Sequence, residues 1–201
     1  MVHPIPRLAT ITTLVAAVTT TLAVAGTGVA HAQELSYADN ASDVHAFQPD
    51  GSTVLVGDVV NTDVTSTTVD HRNKRVKATF RYTDLDRTGQ AFVALLHLRT
   101  SDGKRFNLPV VAGPASWRGE AALETWNGKE LDCGSLRHSI NYDADVMKVS
   151  LDRECLKEPR WVQVALEAAS IHDDPNLVYI DDAQHPDVPD VGTWSRKIRT
   201  G

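Results

Sequence analysis

The chain has 201 residues, a formal net charge of −6 and two cysteines. It is too short for a TIM barrel or a two-domain nucleotide enzyme, and too acidic for a general nucleic-acid binder. Two cysteines cannot make a structural zinc site or a multi-bridge mini-scaffold, so one domain with enough apolar content to bury a core remains.

Residues 1–32 read as a secretory signal peptide. Arg7 is the only charge before Glu34, and Leu8 to Ala30 is rich in Ala, Val, Leu and Thr. The stretch ends in Ala30-His31-Ala32, the small-x-small form cut by signal peptidase. The competing reading is an uncleaved membrane anchor. Seven threonines and two glycines make the run weakly apolar for that. The expected product is a secreted, extracellular chain of residues 33–201, with no membrane contact after cleavage. Loss of Arg7 leaves 19 basic and 26 acidic side chains, a net charge of −7.

In the mature chain the dominant period is two. Residues 33–52 are polar and weakly patterned, and 33–57 reads as an N-terminal arm or edge strand; 58–201 reads as the β-sandwich domain. Val59–His71 is a Thr- and Val-rich run of ambiguous register. Arg75–Thr83 alternates cleanly, with Val76, Ala78, Phe80 and Tyr82 on one face and a basic, β-branched set on the other. Ala91–Thr100 is apolar on both faces up to His97, as for a central strand. Ser101-Asp102-Gly103 is a turn, and Lys104–Val111 follows with Phe106, Leu108 and Val110 on one side, which predicts a hairpin. Pro109, lacking an N–H, places the second strand near an edge. Glu120–Trp126 is a weaker strand or one helical turn. Asp145–Leu151 puts Met147, Val149 and Leu151 inward, and Trp161–Ala168 does so with Val162, Val164, Leu166 and Ala168. Leu177–Ile180 is a weak strand. No segment sustains an amphipathic helix, so the expected fold is an all-β antiparallel β-sandwich, immunoglobulin-like or jelly-roll-like.

Cys133 and Cys155 both survive processing, and an even pair in an exported protein reads as a disulfide. Such a ring adds about 3 kcal/mol in the chain-entropy account. The alternative is a reactive thiol at Cys133-Gly134-Ser135 with His138 nearby, which an oxidising exterior disfavours.

Charge is concentrated. Residues 172–190 hold Asp173, Asp174, Asp181, Asp182, Asp187 and Asp190 with no Lys or Arg. Asp173, Asp174, Asp181 and Asp182 form the candidate metal site, because calcium takes six to eight oxygens from loop carboxylates and carbonyls. His172 and His185 would instead suit a transition metal. The bland alternative is a solvated loop whose Asp residues start turns. Trp117, Trp126 and Trp161 are candidate ligand-binding residues, since an exposed indole stacks on a sugar ring or an apolar partner; ordinary packing is the competing account. The basic strand with Arg72, Lys74, Arg75, Lys77 and Arg81 reads as a solvated face, or as a surface meeting an anionic polymer or the acidic segment of the same chain. No catalytic motif stands out, and His97 reads as a satisfied sheet histidine.

The runs Cys133-Gly134-Ser135-Leu136, Asn141-Tyr142-Asp143-Ala144-Asp145 and Cys155-Leu156-Lys157-Glu158-Pro159-Arg160-Trp161-Val162 go together with Gly57-Asp58-Val59 and Asp181-Asp182. Over roughly residues 57–182 the chain resembles small secreted β-sandwich proteins of actinobacteria. The resemblance implies an exported sandwich with a Cys133–Cys155 bridge, and no activity. Asp152-Arg153-Glu154 departs from the Pro-Arg type of turn expected before the second cysteine. The functional expectation is a monomeric, secreted, non-catalytic module that binds carbohydrate or protein, with calcium support, and no nucleic acid. The alternatives are a small hydrolase using carboxylates of the acidic segment, and a protease inhibitor presenting 134–145.

Overall fold

The computed structural model describes residues 33–185 and 193–201. The expected export leader at 1–32, and Asp187 and Asp190, lie outside the described residues. The strands are β1 (Gln33–Ala38), β2 (Val44–Phe47), β3 (Thr53–Gly57), β4 (Val64–His71), β5 (Arg75–Tyr82), β6 (Ala91–Thr100), β7 (Arg105–Gly113), β8 (Ser116–Ala121), β9 (Leu123–Thr125), β10 (Glu130–Leu131), β11 (Arg137–Asn141), β12 (Val146–Asp152), β13 (Trp161–Ile171), β14 (Val178–Asp182) and β15 (Ile198–Arg199). A 3-10 turn at Arg153–Leu156 is the only helical element among the described residues.

The protein is all-β. A five-stranded sheet runs β1-β4-β5-β12-β11, and a ten-stranded sheet runs β10-β9-β7-β6-β13-β14-β2-β3, with β8 beside β7 and β15 beside β13. Every strand pair is antiparallel. The inward parity read from the sequence holds. Val76, Ala78, Phe80 and Tyr82 of β5 and Met147, Val149 and Leu151 of β12 are buried against Phe92, Leu96 and Leu98 of β6, Leu108 of β7, and Val162, Val164 and Leu166 of β13. Removing this apolar surface from water is the main driving force for sandwich formation. One disulfide, Cys133–Cys155, joins the start of the β11 loop to the 3-10 turn after β12.

Two local expectations sharpen and one changes. Glu120–Trp126 is not helical; it contains the end of β8 and all of β9. The 33–57 segment serves both layers: β1 is an edge of the five-stranded sheet, while β2 and β3 end the ten-stranded one. Strand β7 is not at an edge, because β6 lies on one side and β8 and β9 share the other. Pro109 is tolerated there because it falls in the gap between those two short partners. Its carbonyl accepts from Ala122 N–H on that side. In an antiparallel strand the N–H of the same residue would point the same way, so β6 loses no donor.

A second gap lies beside β13. Strand β14 covers Glu167–Ser170 and β15 covers Trp161–Val162. Between them, side chains take the place of a ladder: Val164 N–H donates to Ser195 Oγ at 2.9 Å and Leu166 N–H to Gln184 Oε1 at 2.9 Å. The carbonyls of the same two residues accept from Ser195 and Ala183 N–H. A central strand thus keeps its backbone groups satisfied where no neighbouring strand is present.

Candidate functional site

The hairpin turn at Ser101-Asp102-Gly103 sets the register of β6 and β7, with Gly103 at φ 80°. That register puts His97 opposite Asn107 and Arg99 opposite Arg105; β13 adds Glu167 one position along, facing Leu95. These polar-parity residues share the outer face of the ten-stranded sheet. His97 Nδ1 meets Asn107 Oδ1 at 2.8 Å, and Nε2 meets Glu167 Oε1 at 3.0 Å. Burial alone would lower the imidazole pKa, but the hydrogen bonds to Glu167 and Asn107 outweigh it and hold it above the usual value. His97 is therefore a satisfied sheet histidine, with a bias toward the charged form.

Trp126 lies over this network. Its N–H donates to the Arg105 carbonyl at 3.2 Å, so it continues the β9 edge along β7. Its ring stands 5.4 Å from the His97 ring and 6.4 Å from that of Trp194. The Arg105 guanidinium sits 5.4 Å from the Trp126 ring and 5.9 Å from the Trp194 ring. Trp126 remains 45% exposed. The arrangement is a half-exposed indole held on the sheet, flanked by cationic and acidic side chains that can donate to and accept from hydroxyl groups.

The other two tryptophans differ. Trp117 packs on the core, with its ring 6.5 Å from that of Phe92, and its carbonyl accepts from the Tyr142 hydroxyl. Trp161 is half-buried, with the Lys197 ammonium 4.6 Å above its ring. It shares the outer parity of Gln163 and Glu167 on β13. Trp194, Arg105, Asn107 and Glu167 complete the Trp126 surface but carry no local motif. Only the hairpin register, combined with outward parity, could have grouped the residues of β6, β7 and β13.

The acidic segment divides. Asp173 and Asp174 sit in an exposed turn, where Asp174 Oδ1 accepts from Asn176 N–H at 2.9 Å. Asp181 and Asp182 are buried and, being consecutive on β14, face opposite sides of the sheet. Asp182 pairs with His185 at 3.0 Å. Burial raises its pKa, and the His185 hydrogen bond offsets part of that rise. The four aspartates are therefore not gathered at one point, and Asp181 and Asp182 do not flank a common bond as a hydrolytic pair would. His172 contacts Ser170 and the Val60 carbonyl.

Asp181 joins other carboxylates instead. It faces inward at the seam between the sheets, where Asp43 and Asp63 bring a carboxylate oxygen each; the three oxygens lie within 4.8 Å of one another. Asp181 Oδ2 accepts from Val64 N–H at 2.6 Å, and Asp63 Oδ2 from Ser42 N–H at 3.0 Å. Burial pushes Asp181 up to about 8, with Asp39 and Asp43 adding their charge against relief from the Val64 N–H. Burial likewise pushes Asp39 up to about 7, with Asp43 adding to it, and raises Asp63. No short-range pattern marks Asp43 or Asp63, which are brought to Asp181 by the fold alone.

On the basic strand, Arg75 pairs with Asp152 at 2.9 Å, not with the acidic segment. Within the 134–145 stretch, Arg137–Asn141 forms strand β11, paired along its length with β12. No family model matches the chain, and no curated protein or solved structure does so either.

Proposed function

We propose that the chain is an exported, non-catalytic binding module whose contact surface is the Trp126 end of the ten-stranded sheet and whose ligand is an extracellular carbohydrate. The observation that carries the reading is an indole 45% exposed, yet fixed by the rings of His97 and Trp194 and the Arg105 guanidinium. A sugar ring stacks its C–H face on such an indole, while Arg105, Asn107 and Glu124, which pairs with Asn107 across β7 and β9, offer hydrogen bonds to its hydroxyls. Export is supported by the leader sequence and by a disulfide of the kind that oxidising compartments keep. The protein acts as a monomer in this reading.

Intrinsic fluorescence titrated with polysaccharides, and co-sedimentation with insoluble ones, test it. A blue shift that Trp126→Ala abolishes is expected; no response to any polysaccharide rejects the carbohydrate ligand. N-terminal sequencing of protein recovered from the medium should begin at Gln33.

A second reading has its own observation. Strand β3 ends the ten-stranded sheet and leaves Val54, Leu55 and Val56 exposed. An apolar strand edge of this kind accepts an added strand from a protein partner. Loss of partner capture in Leu55→Lys, with polysaccharide binding intact, would favour that reading.

A further inference from the structure

We propose that Asp43, Asp63 and Asp181 form a binding site for a divalent cation of calcium's class, at the seam where the β1–β2 connection, the start of β4 and strand β14 meet. The site is independent of the Trp126 surface, on a different side of the ten-stranded sheet. One carboxylate oxygen from each residue lies within 4.8 Å of the other two. Oxygens on opposite sides of one calcium ion stand about 5 Å apart, whereas across magnesium the span is about 4.2 Å. The group contains only carboxylates, with no His or Cys, which suits a hard cation and not zinc or copper.

Two further observations point to a ligand. Asp63 is only 1% exposed, and its Oδ1 makes no hydrogen bond of ordinary geometry, with Thr83 and Asp58 close to the carboxylate. The Tyr82 hydroxyl, on a residue 4% exposed, is also buried without a partner. Tyr82 lies opposite Val64 in the β4–β5 pair, and the Val64 N–H donates to Asp181. Buried polar atoms are nearly always partnered, and the exceptions mark bound ions, water or strain. Asp39 adds a buried, unpartnered Oδ2 beside the group.

The charge balance points the same way. Among the described residues, no ion pair reaches Asp39, Asp63 or Asp181. The charges acting on Asp181 are those of Asp39, Asp43 and Asp63, all of its own sign. Carboxylates taken out of water beside one another repel, and a divalent cation removes that repulsion while filling the open lone pair of Asp63. The ligands also explain where the cation would act. The 39–43 connection carries the chain from the five-stranded to the ten-stranded sheet, and Asp63 opens β4 in the former while Asp181 belongs to β14 in the latter. One ion would clip both layers together at that corner.

The test is calcium chloride added to the purified protein after treatment with chelator. One calcium retained per chain is expected by elemental analysis after desalting. The melting temperature should rise by roughly 3–6 °C at tenfold excess over Kd. Asp63→Asn keeps an acceptor for the Ser42 N–H and should fold, but should bind calcium at least tenfold more weakly. The double change Asp173→Asn and Asp174→Asn, in the exposed turn, should leave binding unaltered. The proposal is overturned if wild-type protein retains no calcium and melts identically with calcium and chelator. It is equally overturned if Asp63→Asn binds normally, if the turn variant loses binding, or if magnesium matches calcium in affinity.

Discussion

At the Trp126 end, His97 has an oxygen 2.8 Å from one ring nitrogen and 3.0 Å from the other, one of them on a carboxylate. At the seam between the sheets, Asp181 has a backbone donor but otherwise faces carboxylates, and Asp63 leaves an oxygen unmatched. Both regions hold ionisable groups that are largely out of water. In the first, each polar atom meets its complement within the fold, so the network fixes geometry and leaves Trp126 as the exposed element. In the second, carboxylates crowd one another, and the proposed cation would supply the complement that the fold does not. Burial of a titratable group is therefore not in itself a sign of function; the signature lies in whether its partners are supplied by the fold.

The strongest blow to this contrast would come from Glu167→Ala. Removing that carboxylate strips His97 of one partner in a largely buried setting, and should cost about 1–3 kcal/mol in urea unfolding near pH 6. A neutral result would mean that the His97 network is not what holds this end. The seam should respond in the opposite direction. Asp63→Asn removes one of several repelling carboxylates, so in chelator its melting temperature should exceed that of wild type by a few degrees. Destabilisation there would show that the carboxylates are mutually supporting.

A pH series sharpens the contrast further. The folded-state pKa of His97 is raised above 6.5, so its contribution to stability is fully present below that value and is lost as pH rises through the folded-state pKa. In Glu167→Gln, NMR titration of the His97 ring should find the pKa moved down, and the stability loss across that window should shrink. His71 provides an internal control of opposite sign. Burial lowers its pKa, so its contribution is lost as pH falls below 6.5. The smallest effect belongs to Trp126→Ala, expected to change stability by about 0.5 kcal/mol or less while removing ligand binding. A large loss would make Trp126 part of the packing and not a contact surface.

The sandwich was legible because β5, β12 and β13 alternate strictly and the Asp102-Gly103 turn ties β6 to β7. Strands β1 to β3 were legible only as an arm or edge strand, because the runs are short and their pairing partners are distant: β1 meets β4, and β2 meets β14. The acidic site was legible only in part. Local density drew attention to residues 172–190, and Asp181 is indeed buried there. Yet strand parity sends Asp182 to the other face, and the exposed turn keeps Asp173 and Asp174 in solvent. Asp181 reaches instead to the start of β4, where the Val64–Asp181 hydrogen bond spans 117 positions in the chain. Proximity along the sequence stood in for proximity in space, and in a sheet protein the two are set by different rules.

The stitching of residues 193–201 into the gap beside β13 bears on how the molecule is made. Ser195 satisfies Val164, and the Ile198 carbonyl accepts from buried His71 across 127 positions; Arg199 N–H also reaches Gln33 Oε1. The first and last described strands therefore meet, and the sandwich cannot seal until residues 193–201 have been synthesised. Until then the interior edge of β13 stays open. Contacts this distant in sequence form slowly, so the open edge of β13 stays exposed for longer during folding than a hairpin edge would.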